Sequence, residues 1–309
     1  MISVPQRMIG FYTSGQKGPL LFFIGGIHGN EPAGVIALQR VFNKLSGLSL
    51  PFAGKFVGVC GNMPALSNGI RYIDRDLNRL WSQVEINRIK ATPESELNSE
   101  EKQLLELLDI IESTFDGSCS PEILIDLHTT SASNGLFSIV TEDADNARLA
   151  SSLYAPVILR LTDSLAATTN IFAKNRGYKS LAFEAGQHAD PTSIDNHEAA
   201  IWLLLEATGC LHKDDVPEFD RWQSQLIHAS KGLPRYVEVI YRHEISMADG
   251  YEMYPGFANY SKVKAGDVVA KDLKGPVTAP ADGMMLMPLY QPQGEEGFFL
   301  IQELEKPFF

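Results

Sequence analysis

The sequence predicts an α/β fold, a mainly parallel or mixed sheet flanked by helices, with a smaller C-terminal all-β, barrel-like unit. Strand-like and helix-like stretches alternate through the first two-thirds of the chain, the pattern of strands joined by helical crossovers. After residue 213 the texture changes to frequent Gly and Pro with short alternating apolar runs. A chain of 309 residues that is 44% apolar can bury a core of one large or two ordinary domains. The boundaries read as 1–213 for the α/β unit and 214–309 for a linking helix plus the β-rich unit.

Taken in chain order, strands are expected at residues 20–24, 55–59, 122–127, 136–141, 156–161 and 180–183. Pro32 suits the first position of a helix in which Ile36, Val41, Phe42 and Leu45 recur at helical spacing until Gly47 ends it. Asn98 followed by Glu101 makes a capping box for a helix carrying Leu104, Leu105, Leu107, Leu108, Ile110 and Ile111. Asp190-Pro191 opens another that runs to about Ala207, and residues 214–233 read as the connecting helix.

Composition excludes several function classes. Against 26 basic residues stand 38 acids, for a formal charge of -12, which opposes binding to nucleic acid or anionic membranes. Cys60, Cys119 and Cys210 are odd in number and widely spaced, with no CxxC pair, so neither a disulfide framework nor a zinc knuckle is indicated. Residues 1–10 lack the charged-then-apolar pattern of a leader, and the apolar run at 20–27 is too short to span a bilayer. The expectation is a cytoplasmic protein; its oligomeric state, homo-oligomer or monomer, is left open.

The chemistry gathers at predicted strand ends. His28 and Glu31 follow the first apolar run, and His128 follows another that ends in Asp126-Leu127-His128. Two imidazoles and a carboxylate are the protein ligands of a hydrolytic zinc site whose fourth position is left to water or substrate. The alternative is ordinary junction chemistry, with His28 bonding a turn and Glu31 favoured by a helix N-terminus. Glu184 ends another apolar run, where a charge is uncommon without a purpose. Arg71, Arg75 and Arg79 put three cations within nine residues of an acidic chain and suggest anion recognition. The competing reading is an exposed face on which Asp74 and Asp76 pair with them, and Arg75 belongs there. His188 reads as a cap for the loop before Asp190-Pro191. His197, His212, His228 and His243 lack ligand-spaced partners and read as structural.

The wording around these residues resembles a known family. Gly25-Gly26-Ile27-His28-Gly29-Asn30-Glu31-Pro32-Ala33-Gly34 is similar to the opening motif of the succinylglutamate desuccinylase/aspartoacylase family, zinc carboxypeptidase-like deacylases. The resemblance recurs in order at Arg71-Tyr72-Ile73-Asp74-Arg75-Asp76-Leu77-Asn78-Arg79, at Asp126-Leu127-His128-Thr129-Thr130 and at Phe183-Glu184-Ala185-Gly186. It implies one Zn2+ per chain bound by His28, Glu31 and His128, with Glu184 as general base then general acid. Arg71 would stabilise the oxyanion, and Asn78 and Arg79 would hold a substrate carboxylate. Among Lys174, Arg176 and Lys179, Arg176 is the first choice for a second anion contact.

Two departures qualify the resemblance. Aspartoacylases reach into the pocket with a tyrosine from the second domain, whereas the corresponding stretch here reads Gly297-Phe298-Phe299, with Tyr290 and Tyr254 further upstream. The acyl preference, N-succinylglutamate or N-acetylaspartate type, therefore stays open. Residues 263–269 and 279–287 resemble the hammerhead barrel of biotinyl and lipoyl carriers, but Met285 and its neighbours stand where a carrier presents lysine, so a packing barrel is favoured. The expected partner is a small anionic N-acyl amino acid. The rivals are a metallocarboxypeptidase acting on short or cell-wall peptides and a zinc- or ligand-binding protein without turnover.

Overall fold

The computed structural model describes residues 6–165 and 167–305, so the first five positions of the leader reading at residues 1–10 lie outside it. Its elements are β1 (Met8–Thr13), β2 (Gln16–Gly25), α1 (Ala33–Ser46), β3 (Ala53–Cys60), α2 (Met63–Asn68), α3 (Gln83–Ala91), α4 (Ser99–Thr114), β4 (Glu122–Thr130), β5 (Leu136–Ile139), α5 (Ala144–Ser151), β6 (Val157–Leu159), α6 (Leu161–Ser164), α7 (Thr169–Arg176), β7 (Lys179–Gln187), α8 (Thr192–Ala207) and α9 (Phe219–Ala229). Seven strands follow: β8 (Tyr236–Glu244), β9 (Glu252–Met253), β10 (Lys262–Val263), β11 (Val268–Asp272), β12 (Gly275–Thr278), β13 (Gly283–Leu286) and β14 (Glu296–Glu303). This is the mixed α/β architecture expected, and α4 starts on the Asn98–Glu101 capping box.

Among the described residues eleven strands form one sheet in the order β1-β3-β2-β4-β7-β5-β6-β8-β14-β13-β10. Its centre is parallel, with β2 between β3 and β4, and β4 beside β7. The C-terminal strands β8, β14, β13 and β10 continue it antiparallel, after β8 pairs in parallel with β6. A separate three-stranded sheet, β12-β11-β9, completes the C-terminal segment.

The continuous apolar run of β2 is explained by burial on both faces. Leu21 and Phe23 pack in the core beneath α1, α8 and α9, while Leu20, Phe22 and Ile24 face the opposite core with α4 and Phe172. Full burial of each such side chain contributes about 1.5–3 kcal/mol.

Local backbone chemistry sets several element ends. Arg160 has a φ of 63°, so the stretch expected as one strand at 156–161 ends at Leu159 and turns into α6. The connecting helix is shorter than residues 214–233: a single 3-10 turn at Lys213–Asp215 precedes α9. Edge strand β1 was not expected from the sequence. No described helix is long and apolar enough to cross a membrane.

From β2 the chain crosses through α1 to β3 on one side, then passes to β4 on the other. The strand order therefore reverses between β2 and β4, and a crevice opens beyond their carboxyl ends, where ligands of α/β proteins characteristically bind.

Candidate active site

The loop after β2 carries His28 and Glu31 into that crevice, and close packing fixes its path. A Cβ on Gly29 would lie 2.0 Å from the Ala65 carbonyl carbon, and one on Gly34 would lie 2.7 Å from the Leu127 Cβ. Only glycine lets the loop touch α2 and α1 touch β4. Glu31 stands just before the N-terminus of α1, where the aligned peptide dipoles favour its negative charge. His128 projects near the end of β4, in register with Glu184 on β7. Thus three adjacent parallel strands deliver the residues of three of the four sequence motifs, and the fourth, at 71–79, comes from the segment between α2 and α3.

His28, Glu31 and His128 are all buried, and one potential ligand atom from each lies within 4.8 Å of the other two. His28 Nδ1 is 2.8 Å from Glu31 Oε1, and His128 Nδ1 is 3.2 Å from Glu31 Oε2. The outer nitrogens face acids: His28 Nε2 donates to Asp76 Oδ1 at 3.1 Å, and His128 Nε2 to Asp126 Oδ2 at 2.9 Å. A carboxylate on Nε2 fixes the ring and leaves Nδ1 as the ligand atom, the usual arrangement around a histidine-bound metal. Both acids are themselves held. Asp76 receives Arg71 Nη2 at 2.9 Å and the Asn78 backbone N–H at 2.8 Å, and Asp126 receives the Thr169 hydroxyl at 2.7 Å. Two imidazoles, one carboxylate and a supporting acid behind each ring fit a zinc ion with an open coordination position.

The two central glutamates titrate in opposite directions. Burial alone would raise Glu31, but the field of His28 and hydrogen bonds from His128 and His28 outweigh it and hold its carboxyl well below the usual range. Glu184 is pushed well above that range, chiefly by desolvation; His128 opposes the shift and the Glu31 charge adds to it. Its Oε2 is buried without a hydrogen-bond partner. Asp76 stays low because Arg71 and then His28 overcome the cost of its burial.

His28, Glu31, His128 and Glu184 line one cavity of about 120 Å³ together with Arg71, Asn78 and Arg79. Arg71 also lies 3.6 Å from Glu31 Oε1. Arg79 donates from Nη2 to both oxygens of Glu296 at 3.0 and 2.9 Å, so a carboxylate from β14 already occupies one edge of the fork expected for substrate. Arg75 lies on an exposed face, as expected, but its partners are Glu85 and Glu101 rather than Asp74 or Asp76.

Arg176 is not in this cavity. It ends α7, where it pairs with Glu112 at 3.4 Å and stacks on Phe172. The first turn of α7 lines the pocket instead, through Thr168, Thr169 and Asn170, and at 1.5 Å per residue the helix carries Arg176 about 10 Å away. Lys179 is paired with Asp143 and Asp145. His188 does more than cap a loop: Nδ1 meets the Thr129 hydroxyl at 2.8 Å and Nε2 meets Gln291 at 3.2 Å on the cavity rim. Burial pulls its pKa down.

Sequence reasoning missed Asp76 and Asp126 as partners of the imidazoles, and it missed Gln291 and Glu296. Asp126 had a local signal, because residues two apart on a strand share a face and Asp126 and His128 both lie on β4. Gln291 has none; it accepts Asn30 Nδ2 at 2.7 Å across 261 residues and fastens the C-terminal segment to the rim. Phe299 lines the cavity where the resemblance led to a tyrosine.

Comparison with known proteins gives a consistent result. The profile of the succinylglutamate desuccinylase/aspartoacylase catalytic domain matches residues 17–206. A probable aspartoacylase of Prochlorococcus marinus (strain AS9601) is 29% identical over 287 residues, covering 87% of each chain. The crystal structure of a succinylglutamate desuccinylase/aspartoacylase from Rhodobacter sphaeroides superposes with a TM-score of 0.67 at 17% identity, over 94% of this chain and 87% of that one. Murine aminoacylase 3 gives 0.60 at 18% identity, over 94% and 97%. At these identities the two structures bear on the fold alone.

Proposed function

Because the chain belongs to the succinylglutamate desuccinylase/aspartoacylase family, we propose that it is a zinc-dependent amidohydrolase that cleaves a small, carboxylate-bearing N-acyl amino acid into acid and free amino acid. The observation that carries this reading is the buried His28–Glu31–His128 group beside Glu184, an acid with a raised pKa and an unpartnered oxygen on the neighbouring strand, all lining one cavity. A zinc ion held by the three residues would polarise the scissile carbonyl and make a water acidic enough to attack near neutral pH.

The chain's own groups do the rest. Glu184 accepts the proton of the attacking water and, with its pKa raised, returns it to the departing amine, which leaves as a neutral group. Arg71, kept charged by Asp76 and Glu31, faces the oxygen on which negative charge develops. Asn78 and the unpartnered Nε of Arg79 orient the substrate carboxylate. We also treat residues 1–213 as the catalytic unit and 214–309 as the unit that walls the site. Residues Met287 to Glu296 closing the cavity favour a small substrate over the long peptide a carboxypeptidase groove admits.

The test is amine release from a panel of N-acetyl, N-succinyl and N-formyl amino acids, using protein stripped of metal and then reloaded with zinc. Turnover that needs zinc and is lost in Glu184→Gln supports the reading. Equal rates with and without metal sink it, and tight binding without product points to the non-catalytic rival.

A further inference from the structure

We propose that the preferred substrate carries a single carboxylate and that its other substituent, side chain or acyl tail, is apolar and uncharged. The proposal rests on the deacylase reading and names its substrate class.

The argument begins with the supply of positive charge. Among the described residues Arg71 and Arg79 are the guanidinium or ammonium groups lining the cavity. Arg71 is committed at the reacting end to Asp76 and Glu31. Arg79 is shared with Glu296, which also takes Arg242 at 2.9 Å, and Glu295 lies 3.6 Å from Arg79 Nε. Nη1 is given to the Asn78 carbonyl at 3.2 Å, so the buried Nε, which has no hydrogen-bond partner, is the Arg79 nitrogen left for a ligand. One carboxylate can therefore be gripped; nothing cationic remains for a second.

Another part of the lining is hydrocarbon. Ile139, Leu161, Leu165, Met287, Leu289 and Phe299 face the same cavity, from the end of β5, from α6 and its C-terminal flank, and from the C-terminal segment. Leu161 and Phe299 belong to a buried cluster, so this surface is backed by packed core. Placing a carboxylate there would strip it of water with no counter-charge, whereas a hydrocarbon group gains from leaving water.

The polar atoms at the edge of this wall point the same way. Asn170 Oδ1 and Thr168 Oγ1 are buried and unpartnered, in residues 3% and 8% exposed, while Asn170 Nδ2 is already given to the Ile139 carbonyl at 3.2 Å. An amide oxygen only accepts hydrogen bonds. It suits the N–H of an amide substrate and repels a second carboxylate.

The test compares N-acetyl-leucine and N-acetyl-phenylalanine with N-acetylaspartate and N-succinylglutamate, in two readouts. Amine release by the zinc-loaded protein gives kcat/KM, and calorimetric titration of zinc-loaded Glu184→Gln gives affinity without turnover. The expected result is a preference of at least about tenfold for the apolar pair in both. Dicarboxylates turned over or bound as well as the apolar pair, or no binding of either, overturn the proposal while leaving zinc-dependent hydrolysis to stand or fall on its own rates. An affinity preference without any turnover upholds it and sinks the deacylase reading. Leu165→Arg, checked by thermal melting, supplies the missing cation and should move the preference at least about tenfold toward N-acetylaspartate; an unmoved preference in a folded variant also counts against the apolar wall.

Discussion

The floor of the cavity, where His28, Glu31 and His128 gather, and the wall that carries Glu184, Thr168 and Asn170 partner their polar groups differently. On the floor the groups that carry the ligand atoms meet partners within the chain: Glu31 accepts the Thr129 N–H at 2.9 Å beside both imidazoles, and the rings lean on Asp76 and on Asp126 Oδ2, with Asp126 Oδ1 the one unpartnered atom of these two acids. On the wall Glu184 Oε2, Thr168 Oγ1 and Asn170 Oδ1 find no partner. Buried polar groups are normally paired, so a cluster of orphans marks where a ligand is to complete the set. On the proposed function the floor holds the ion and the wall receives the substrate. The glutamate pair states the difference most sharply, with one carboxyl held low by its neighbours and the other driven up by desolvation.

Emptying the floor should have the largest effect. Removal of zinc by a chelator is expected to reduce amine release to background, and one equivalent per chain should restore it. Zinc should also raise the melting temperature, by an amount corresponding to about 2.7 kcal/mol at a hundredfold excess over its dissociation constant. A calorimetric melt unaffected by zinc would mean that the floor is a hydrogen-bond network and nothing more. Next comes the wall, where Glu184→Gln keeps the shape and removes the base. It should lower kcat by about 10² to 10⁴ without lowering zinc affinity. A parallel loss of zinc would move Glu184 to the floor and erase the contrast.

A smaller effect separates ligands from their supports. Asp126→Asn leaves the metal ligands in place but replaces the acceptor that orients His128, and a fall of about 10- to 100-fold in zinc affinity or activity is expected. Asp76→Asn should act alike through His28, with an added loss because Arg71 is released as well. If both variants match the wild type in a competition titration with a chromophoric chelator, the acids behind the rings are incidental.

How much of this was legible follows from where each contact is encoded. His28, Glu31, His128 and Glu184 end apolar runs, and a run of buried-strand length needs only the sheet order to bring its end beside the others. The capping box of α4 was legible because both partners lie within one turn. Asp76 is not legible as a support for His28 because that imidazole is 48 residues away, and no periodicity connects the Asp76 segment to the loop after β2. Arg176 is near the motifs in sequence but outside the site, because its helix enters by the N-terminus and leads its last turn away. Glu296, Gln291 and Phe299 arrive from the far end of the chain, so charge and hydropathy near the motifs could not reveal how they narrow the pocket.

The smallest predicted effect is on stability, and it isolates the wall. In metal-free protein the Glu184 carboxyl titrates well above its ordinary value of 4.5, chiefly because burial penalises its charge. Between that ordinary value and the raised one the native state holds a proton that the unfolded chain has lost. Stability then falls as pH rises, since the slope follows protons bound by the unfolded state minus those bound by the native one. The contribution is fully present below the ordinary value and is lost as pH rises through the raised one, with a slope of at most about 1.4 kcal/mol per pH unit. Glu184→Gln abolishes this titration while leaving Glu31, Asp76 and His128 in place. The difference between the two proteins' urea-unfolding free energies should therefore grow with pH across that window in favour of the variant, then level off. A difference that is flat from acid to neutral pH would mean that Glu184 is charged and satisfied in the folded chain, and the wall would then be no less self-sufficient than the floor.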